Sequence, residues 1–131
     1  MIALDTDICV EFLRGNGHVI RRIEKHGLQD LFVPAMAAAE LMYGAEKSKT
    51  PDRNRERVEA FLSMVGVAYS DENTVRTFGY VKAYLAKAGL VIPDADLMIA
   101  SSALSRNAVL ATGNVRHFNR IWGLRVEDWF D

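Results

Sequence analysis

The sequence contains a single cysteine, Cys9, among 131 residues, so an intramolecular disulfide is excluded. No apolar run approaches the roughly 20 residues of a membrane span, and no basic segment followed by an apolar one opens the chain. Internal repeats, low-complexity tracts and linkers are also missing. These absences predict a soluble, cytoplasmic protein that forms a single domain over residues 1–131.

A strong charge of either sign is missing too. The formal net charge is −1, with 16 Lys and Arg against 17 Asp and Glu. This total does not exclude a nucleic-acid partner, because it hides how the charges are distributed. If four acids were gathered in one site, the rest of the chain would carry an excess of three positive charges. The composition therefore permits RNA or DNA binding without demonstrating it.

Short apolar strands alternate with helical segments along the whole chain. Glycine and proline end many of the segments, and helical periodicity places Val75, Phe78, Val81 and Leu85 on one stripe. Strands separated by helices pair in parallel through right-handed crossovers. The pattern predicts an α/β fold, a three-layer α/β/α sandwich around a mostly parallel sheet of four to five strands. The predicted strands are MIALD, DLFVP, GVAYS, AVLAT and LRVED.

Acidic and polar residues follow the ends of these strands. Asp5 ends the first strand, and Thr112 and Asn114 follow the fourth. Asp94 and Asp96 stand at the start of a helix, which in this architecture lies on the same edge of the sheet. Ligands of open α/β sheets bind outside the carboxyl ends of the strands. We therefore expect these side chains to share one site.

The pair of acids in VIPDADLMIASSAL has two interpretations. Pro93 interrupts any preceding helix, so Asp94 stands where an N-cap belongs and Asp96 gains from the positive end of the helix dipole. Both acids could instead bind a metal ion. The sequence leaves open whether Asp94 is a cap or a ligand.

Glu40 makes the metal hypothesis stronger. Its neighbours one helical turn away are small or apolar, and burying an unpaired carboxylate is costly. Either the helix turns Glu40 to solvent, or a cation meets it. A divalent cation would compensate Glu40 and the two aspartates together. Asp5, Glu40, Asp94 and Asp96 offer only hard oxygen donors, which favours Mg²⁺ or Mn²⁺ over zinc. Such an ion can activate water for phosphodiester hydrolysis.

Five segments in this order and spacing resemble the PIN-domain ribonucleases, and among them the VapC-type toxins of bacterial toxin–antitoxin pairs. The resemblance covers essentially the whole chain. The segments are MIALDTDICVEFLRG, AAAELMYGAEKS, IPDADLMIASSAL, ATGNVRHF and GLRVEDW.

This resemblance implies a Mg²⁺- or Mn²⁺-dependent endoribonuclease that acts on RNA, with tRNA as one candidate substrate. The acids of the family fall on Asp5, Glu40 and Asp96, and Asp94 stands where several members carry an additional acid. The family further implies a homodimer, inhibition by a VapB-type antitoxin, and binding to operator DNA only through that antitoxin.

The sequence departs from the family pattern after the fourth strand. Members often carry another acid in or after the TGN turn, where this chain has Asn114 and then His117. Asn114 and Thr112 are candidates for orienting the metal or its water. Arg116, His117 and Arg120 are candidates for contacts with RNA phosphates.

Two alternatives use phosphoryl chemistry instead. A receiver-like module or a phosphatase-like module would place its reactive carboxylate at Asp5 or Asp7. A receiver, however, needs a lysine after the fifth strand, and LRVED has none. Asp7 is otherwise expected to cap the first helix.

Overall fold

A computed structural model describes residues 1–131 and contains five strands. These are β1 (Ile2–Leu4), β2 (Leu31–Pro34), β3 (Val67–Ala68), β4 (Val109–Thr112) and β5 (Val126–Asp128). They form one sheet in the order β3-β2-β1-β4-β5, and every neighbouring pair is parallel. The predicted sheet is confirmed, and each predicted strand segment contains the corresponding strand.

Seven helices connect the strands, with a short 3-10 turn at Leu28–Asp30. They are α1 (Thr6–Leu13), α2 (Gly17–His26), α3 (Ala35–Glu46), α4 (Pro51–Val65), α5 (Glu72–Lys87), α6 (Asp94–Ser105) and α7 (Val115–Phe118). Every residue of β1 and β2 is buried. Because successive side chains of a strand point to opposite faces, both faces of the sheet are covered, as the sandwich requires. No helix is both long and apolar enough to cross a membrane.

The hydrophobic core is one continuous cluster of 31 buried residues. Residues of β1, β2 and β4 form its centre, and α6 packs against all three strands. Cys9 lies in this core, fully buried, and burial raises the pKa of its thiol. It therefore behaves as a small hydrophobic residue rather than as a nucleophile.

One helical stripe is not arranged as predicted. Val81 and Leu85 of α5 are buried, but Val75 is 61% exposed and Thr74 is fully buried in its place. Thr74 makes hydrogen bonds to Asp71 and Ser105, so its hydroxyl is satisfied inside the protein. Near the start of α5, the buried position is therefore Thr74 instead of the predicted Val75.

The direction in which the sheet is wound reverses between β1 and β4. The chain runs outward from β1 through β2 to β3, and then returns to place β4 on the other side of β1. Such a reversal opens a crevice at the carboxyl ends of the two central strands. Asp5 and Thr112 stand at those two strand ends.

Candidate active site

Asp5 begins α1 immediately after β1. Its Oδ1 accepts the amide proton of Thr6 at 2.8 Å, so Asp5 is the N-cap of the helix. Its Oδ2 accepts the hydroxyl proton of Thr112 at 2.7 Å from the end of β4. The prediction that Asp7 caps this helix was wrong, because the cap lies two residues earlier and Asp7 is inside the first turn of α1. Asp5 is 7% exposed and is held by both central strands.

Thr112 and Asn114 form the opposite wall of the crevice. Thr112 is fully buried, and its hydroxyl oxygen accepts the amide proton of Asn114 at 3.0 Å while donating to Asp5. The turn after β4 is therefore fixed to the first carboxylate. The side chain of Asn114 is exposed and makes no capping hydrogen bond to α7.

Asp7 also faces this turn. Its Oδ2 accepts the amide proton of Gly113 at 2.9 Å, whereas its Oδ1 is buried and has no hydrogen-bond partner. A Cβ atom at Gly113 would collide with the ring of Phe130 and approach Oδ2 of Asp7 at 3.0 Å. A side chain at position 113 would therefore have to displace the ring of Phe130, which packs against this turn together with the carboxylate of Asp7.

Glu40 and Asp96 reach the crevice from two other helices. Glu40 lies on α3, and its Oε1 accepts the hydroxyl proton of Thr6 at 2.6 Å. Asp96 lies in the first turn of α6, and its Oδ2 is 3.0 Å from Nε2 of His117. Both carboxylates are half-buried. Within the chain, the hydrogen-bond partner of Glu40 is the hydroxyl of Thr6, and no cationic side chain pairs with it.

These side chains line one open cleft of about 430 Å³. Five acids and a single arginine carry its charge, so the cleft is strongly negative. Asn114, Phe118 and Phe130 complete its polar and aromatic walls. The charged lining residues are Asp5, Asp7, Glu11, Glu40, Asp96 and Arg14.

Burial and mutual repulsion change how the two central carboxyls ionise. Burial, and next the charge of Asp7, raise the pKa of Asp5 to about 7, although hydrogen bonds from Thr112 and Thr6 act in the opposite direction. Burial also raises the pKa of Asp7. The cleft thus holds more negative charge than it can stabilise by its own hydrogen bonds. A cation bound in the cleft would offset the burial and mutual repulsion of these carboxylates.

Asp94 does not join the other acids. Pro93 is the N-cap of α6, so Asp94 is the first helical residue and its side chain caps nothing. Its Oδ1 pairs with Nζ of Lys82 at 2.8 Å on the surface, and both side chains are more than half exposed. The cap interpretation was wrong, and the structure places Asp94 outside the lining of the cleft.

The three residues predicted to contact RNA phosphates also differ in whether they have partners within the chain. Arg116 is exposed and points to no partner within the chain. His117 contacts Asp96, and Arg120 contacts the ring of His117 and the backbone carbonyls of His117 and Val91. Only Arg116 is therefore free to meet a ligand in this arrangement.

The donors fit a hard divalent cation in their chemistry. All of the donor atoms are carboxylate or amide oxygens. Among them, Oδ1 of Asp7 is buried and accepts no hydrogen bond. No three acidic, histidine or cysteine side chains are close enough to enclose an ion by themselves. The spacing is that of an open cleft, which suits an ion that keeps waters and shares a substrate phosphate.

Some of these residues escaped sequence reasoning. Phe130 gave no signal, because its contact with Gly113 joins the chain terminus to a distant turn. The contact between His117 and Asp96 spans 21 residues and was equally invisible. Asp7 was named from the sequence only as a helix cap or as the reactive carboxylate of the phosphoryl-transfer alternatives, although it lies only two residues after Asp5.

Comparison with known proteins identifies the family. The PIN domain family matches residues 2–123. The tRNA(fMet)-specific endonuclease VapC of Shigella flexneri is 36% identical over 126 residues, which cover 96% of each chain. This chain is a PIN domain of the VapC family.

Solved structures agree with this assignment. The crystal structure of DNA-bound VapBC from Salmonella typhimurium matches with a TM-score of 0.93 and 36% identity, over 98% of this chain and 97% of that one. VapBC2 from Rickettsia felis, bound to a DNA fragment from its promoter, matches with a TM-score of 0.92 and 32% identity over 98% and 99%. The expected family and sandwich fold are confirmed. The receiver-like and phosphatase-like alternatives for Asp5 and Asp7 are set aside.

Proposed function

We propose that this VapC-family chain is a Mg²⁺- or Mn²⁺-dependent endoribonuclease toxin that hydrolyses phosphodiester bonds in RNA. The observation that carries the proposal is the convergence of Asp5, Glu40 and Asp96, with Asp7, on one negatively charged cleft at the switch point of the sheet. A strongly acidic cleft repels RNA unless a cation neutralises it. We therefore expect the cleft to bind RNA together with the metal ion.

Asp5, Glu40 and Asp96 would hold the ion, and Asp7 and Asn114 stand beside them. When bound, such an ion lowers the pKa of water and stabilises charge on the departing oxygen. The chain's own residues prepare the ligands. Thr112 and the amide of Thr6 fix both oxygens of Asp5, and the hydroxyl of Thr6 fixes one oxygen of Glu40.

Substrate binding requires positive charge near this acidic cleft. Arg116 is exposed on the short helix that follows Asn114, and it is free to contact an RNA phosphate. The name of the Shigella relative makes the initiator tRNA the first substrate to test. Because its proposed substrate is RNA, we place the protein in the cytoplasm.

The partners of the solved relatives extend the proposal. The matching structures from Salmonella and Rickettsia are VapBC complexes bound to DNA. We therefore infer that a VapB-type antitoxin neutralises this chain and that operator DNA is bound only through the antitoxin. From the family resemblance we also infer that the chain forms a homodimer.

The decisive experiment compares two aspartates on one helix. Asp96→Asn removes a carboxylate from the cleft, whereas Asp94→Asn removes only a surface ion pair with Lys82. We expect Asp96→Asn to abolish Mg²⁺-dependent cleavage of purified tRNA, with a loss of at least about 100-fold. Asp94→Asn should stay within about twofold of the wild type, because exposed pairs contribute little.

Equal activity of the two variants would contradict the assignment of Asp96. If only Asp94→Asn lost cleavage, the active site would instead include the surface on which Asp94 pairs with Lys82. Cleavage by the wild type in excess EDTA would contradict the proposed metal dependence. Circular dichroism of each variant establishes that the fold is intact.

A further inference from the structure

A hydrogen-bonded chain of three side chains ends on the carboxylate of Asp96. Nη2 of Arg120 lies 2.9 Å from Nδ1 of His117, and Nε2 of the same ring lies 3.0 Å from Oδ2 of Asp96. His117 is half-buried, with its ring edge-to-face against Phe118. Both ring nitrogens are thereby occupied, and the ring is held in one orientation.

Arg120 is itself fixed by the backbone. Its Nε donates to the carbonyl oxygen of His117 at 3.2 Å, and its Nη2 also donates to the carbonyl oxygen of Val91 at 3.3 Å. Val91 precedes α6, so Arg120 joins the segment before the helix of Asp96 to α7, the helix that carries His117. The guanidinium is anchored independently of any ligand.

The chemistry of the guanidinium selects one form of the imidazole. Arginine has only N–H donors, so Nδ1 of His117 must accept. The ring proton then lies on Nε2, which donates to Oδ2 of Asp96. The imidazole then orients the carboxylate through one N–H donor. Oδ1 of Asp96 makes no hydrogen bond within the chain and is left for the cleft.

We propose that His117 is a positioning residue for Asp96, with Arg120 selecting the imidazole tautomer that donates to the carboxylate. The inference rests on the proposed metal-dependent function, since it gives Asp96 a ligand's role. It gives His117 and Arg120 a role different from the one predicted from the sequence, which was to contact RNA phosphates. Partners that orient a metal-binding carboxylate typically change metal affinity by about 10- to 100-fold when removed.

The first test measures Mn²⁺ binding by calorimetry without RNA. His117→Ala should weaken Mn²⁺ affinity about 10-fold, because the carboxylate of Asp96 loses its donor. His117→Gln should stay within about threefold of the wild type, since the amide nitrogen can replace Nε2 as donor. Asn119→Ala, which changes an exposed residue directly after the same helix, is the matched control and should bind Mn²⁺ normally.

The second test observes the tautomer directly. Long-range ¹⁵N NMR of the metal-free wild type should show His117 protonated at Nε2 alone. Arg120→Ala should give a mixture of the two neutral tautomers and an intermediate loss of Mn²⁺ affinity, because Nδ1 is no longer obliged to accept. A wild-type ring whose neutral form carries its proton on Nδ1 would overturn the inference.

The outcomes separate this inference from the proposed function. Normal Mn²⁺ binding by His117→Ala would overturn the positioning role alone. If His117→Ala instead lost RNA affinity in EDTA with Mn²⁺ affinity unchanged, His117 would be a phosphate contact, and the inference would again fail. A wild type that binds no Mn²⁺ would overturn the metal-dependent function and the inference together.

Discussion

The hydroxyl of Thr112 donates to the carboxylate of Asp5 at 2.7 Å, joining the ends of the two central strands. The same hydroxyl oxygen accepts the amide proton of Asn114. One buried threonine therefore orients the first carboxylate and fixes the turn that carries Asn114. Asp5 in turn caps α1, so the site and the start of that helix share one hydrogen-bond network.

Thr112→Val is expected to destabilise the protein by about 1–3 kcal/mol. The valine has nearly the same shape, but it leaves Oδ2 of Asp5 without its donor and the amide of Asn114 without its acceptor. Thr112→Ser keeps the hydroxyl and should recover most of this loss. Urea unfolding of the three proteins measures the difference. Equal midpoints for Val and wild type would contradict the network.

Metal-free protein should lose stability as the pH rises from about 4 to about 7. The pKa of Asp5 is raised from 3.8 to about 7 in the folded state, so between these values the folded protein binds more protons than the unfolded chain. Its stabilising contribution is present below pH 4 and is lost as the pH passes 7. The full interval corresponds to roughly 4 kcal/mol. The prediction concerns the difference between wild type and Asp5→Asn, measured by urea unfolding in EDTA. A constant difference across this range would contradict it.

Asp7→Asn should stabilise the metal-free protein and lower the pKa of Asp5. The amide oxygen can still accept the proton of Gly113, while the negative charge that raises the pKa of Asp5 is removed. We expect the pH dependence of unfolding to shift toward lower pH. Asp128→Asn, which removes a carboxylate outside the lining of the cleft, serves as the control for net charge. An identical effect of both variants would mean that the charge of Asp7 acts only at long range.

Asn114→Asp should tighten Mn²⁺ binding in the absence of RNA. The amide of Asn114 lines the cleft beside the acids, and a carboxylate attracts a divalent cation more strongly than an amide oxygen does. Asn114→Ala should slow RNA cleavage less than Asp96→Asn does. Calorimetric titration with Mn²⁺ checks the first statement. Unchanged affinity in Asn114→Asp would place residue 114 outside the reach of the ion.

The order of helices and strands followed from local patterns. Each strand segment is short, apolar and flanked by helix signals, and glycines such as Gly27 and Gly66 end helices with positive φ where only a residue without Cβ is unstrained. Val75 shows where such reasoning fails. Periodicity places a residue on a stripe, but the packing of α5 against α6 decided that Thr74, with its hydroxyl satisfied, is the buried neighbour.

The pattern of strands and helices was enough to predict which edge of the sheet carries the acids. Parallel strands joined by helices bring all their carboxyl ends to one side, so Asp5, Thr112 and the start of α6 had to meet there. Which side chains enter the cleft, however, depends on how the helices pack in three dimensions. Residues two apart on a helix point about 200° from each other, so Asp94 and Asp96 cannot both face it. The choice rests on contacts between distant residues, because Lys82 holds Asp94 at the surface and His117 holds Asp96 at the cleft.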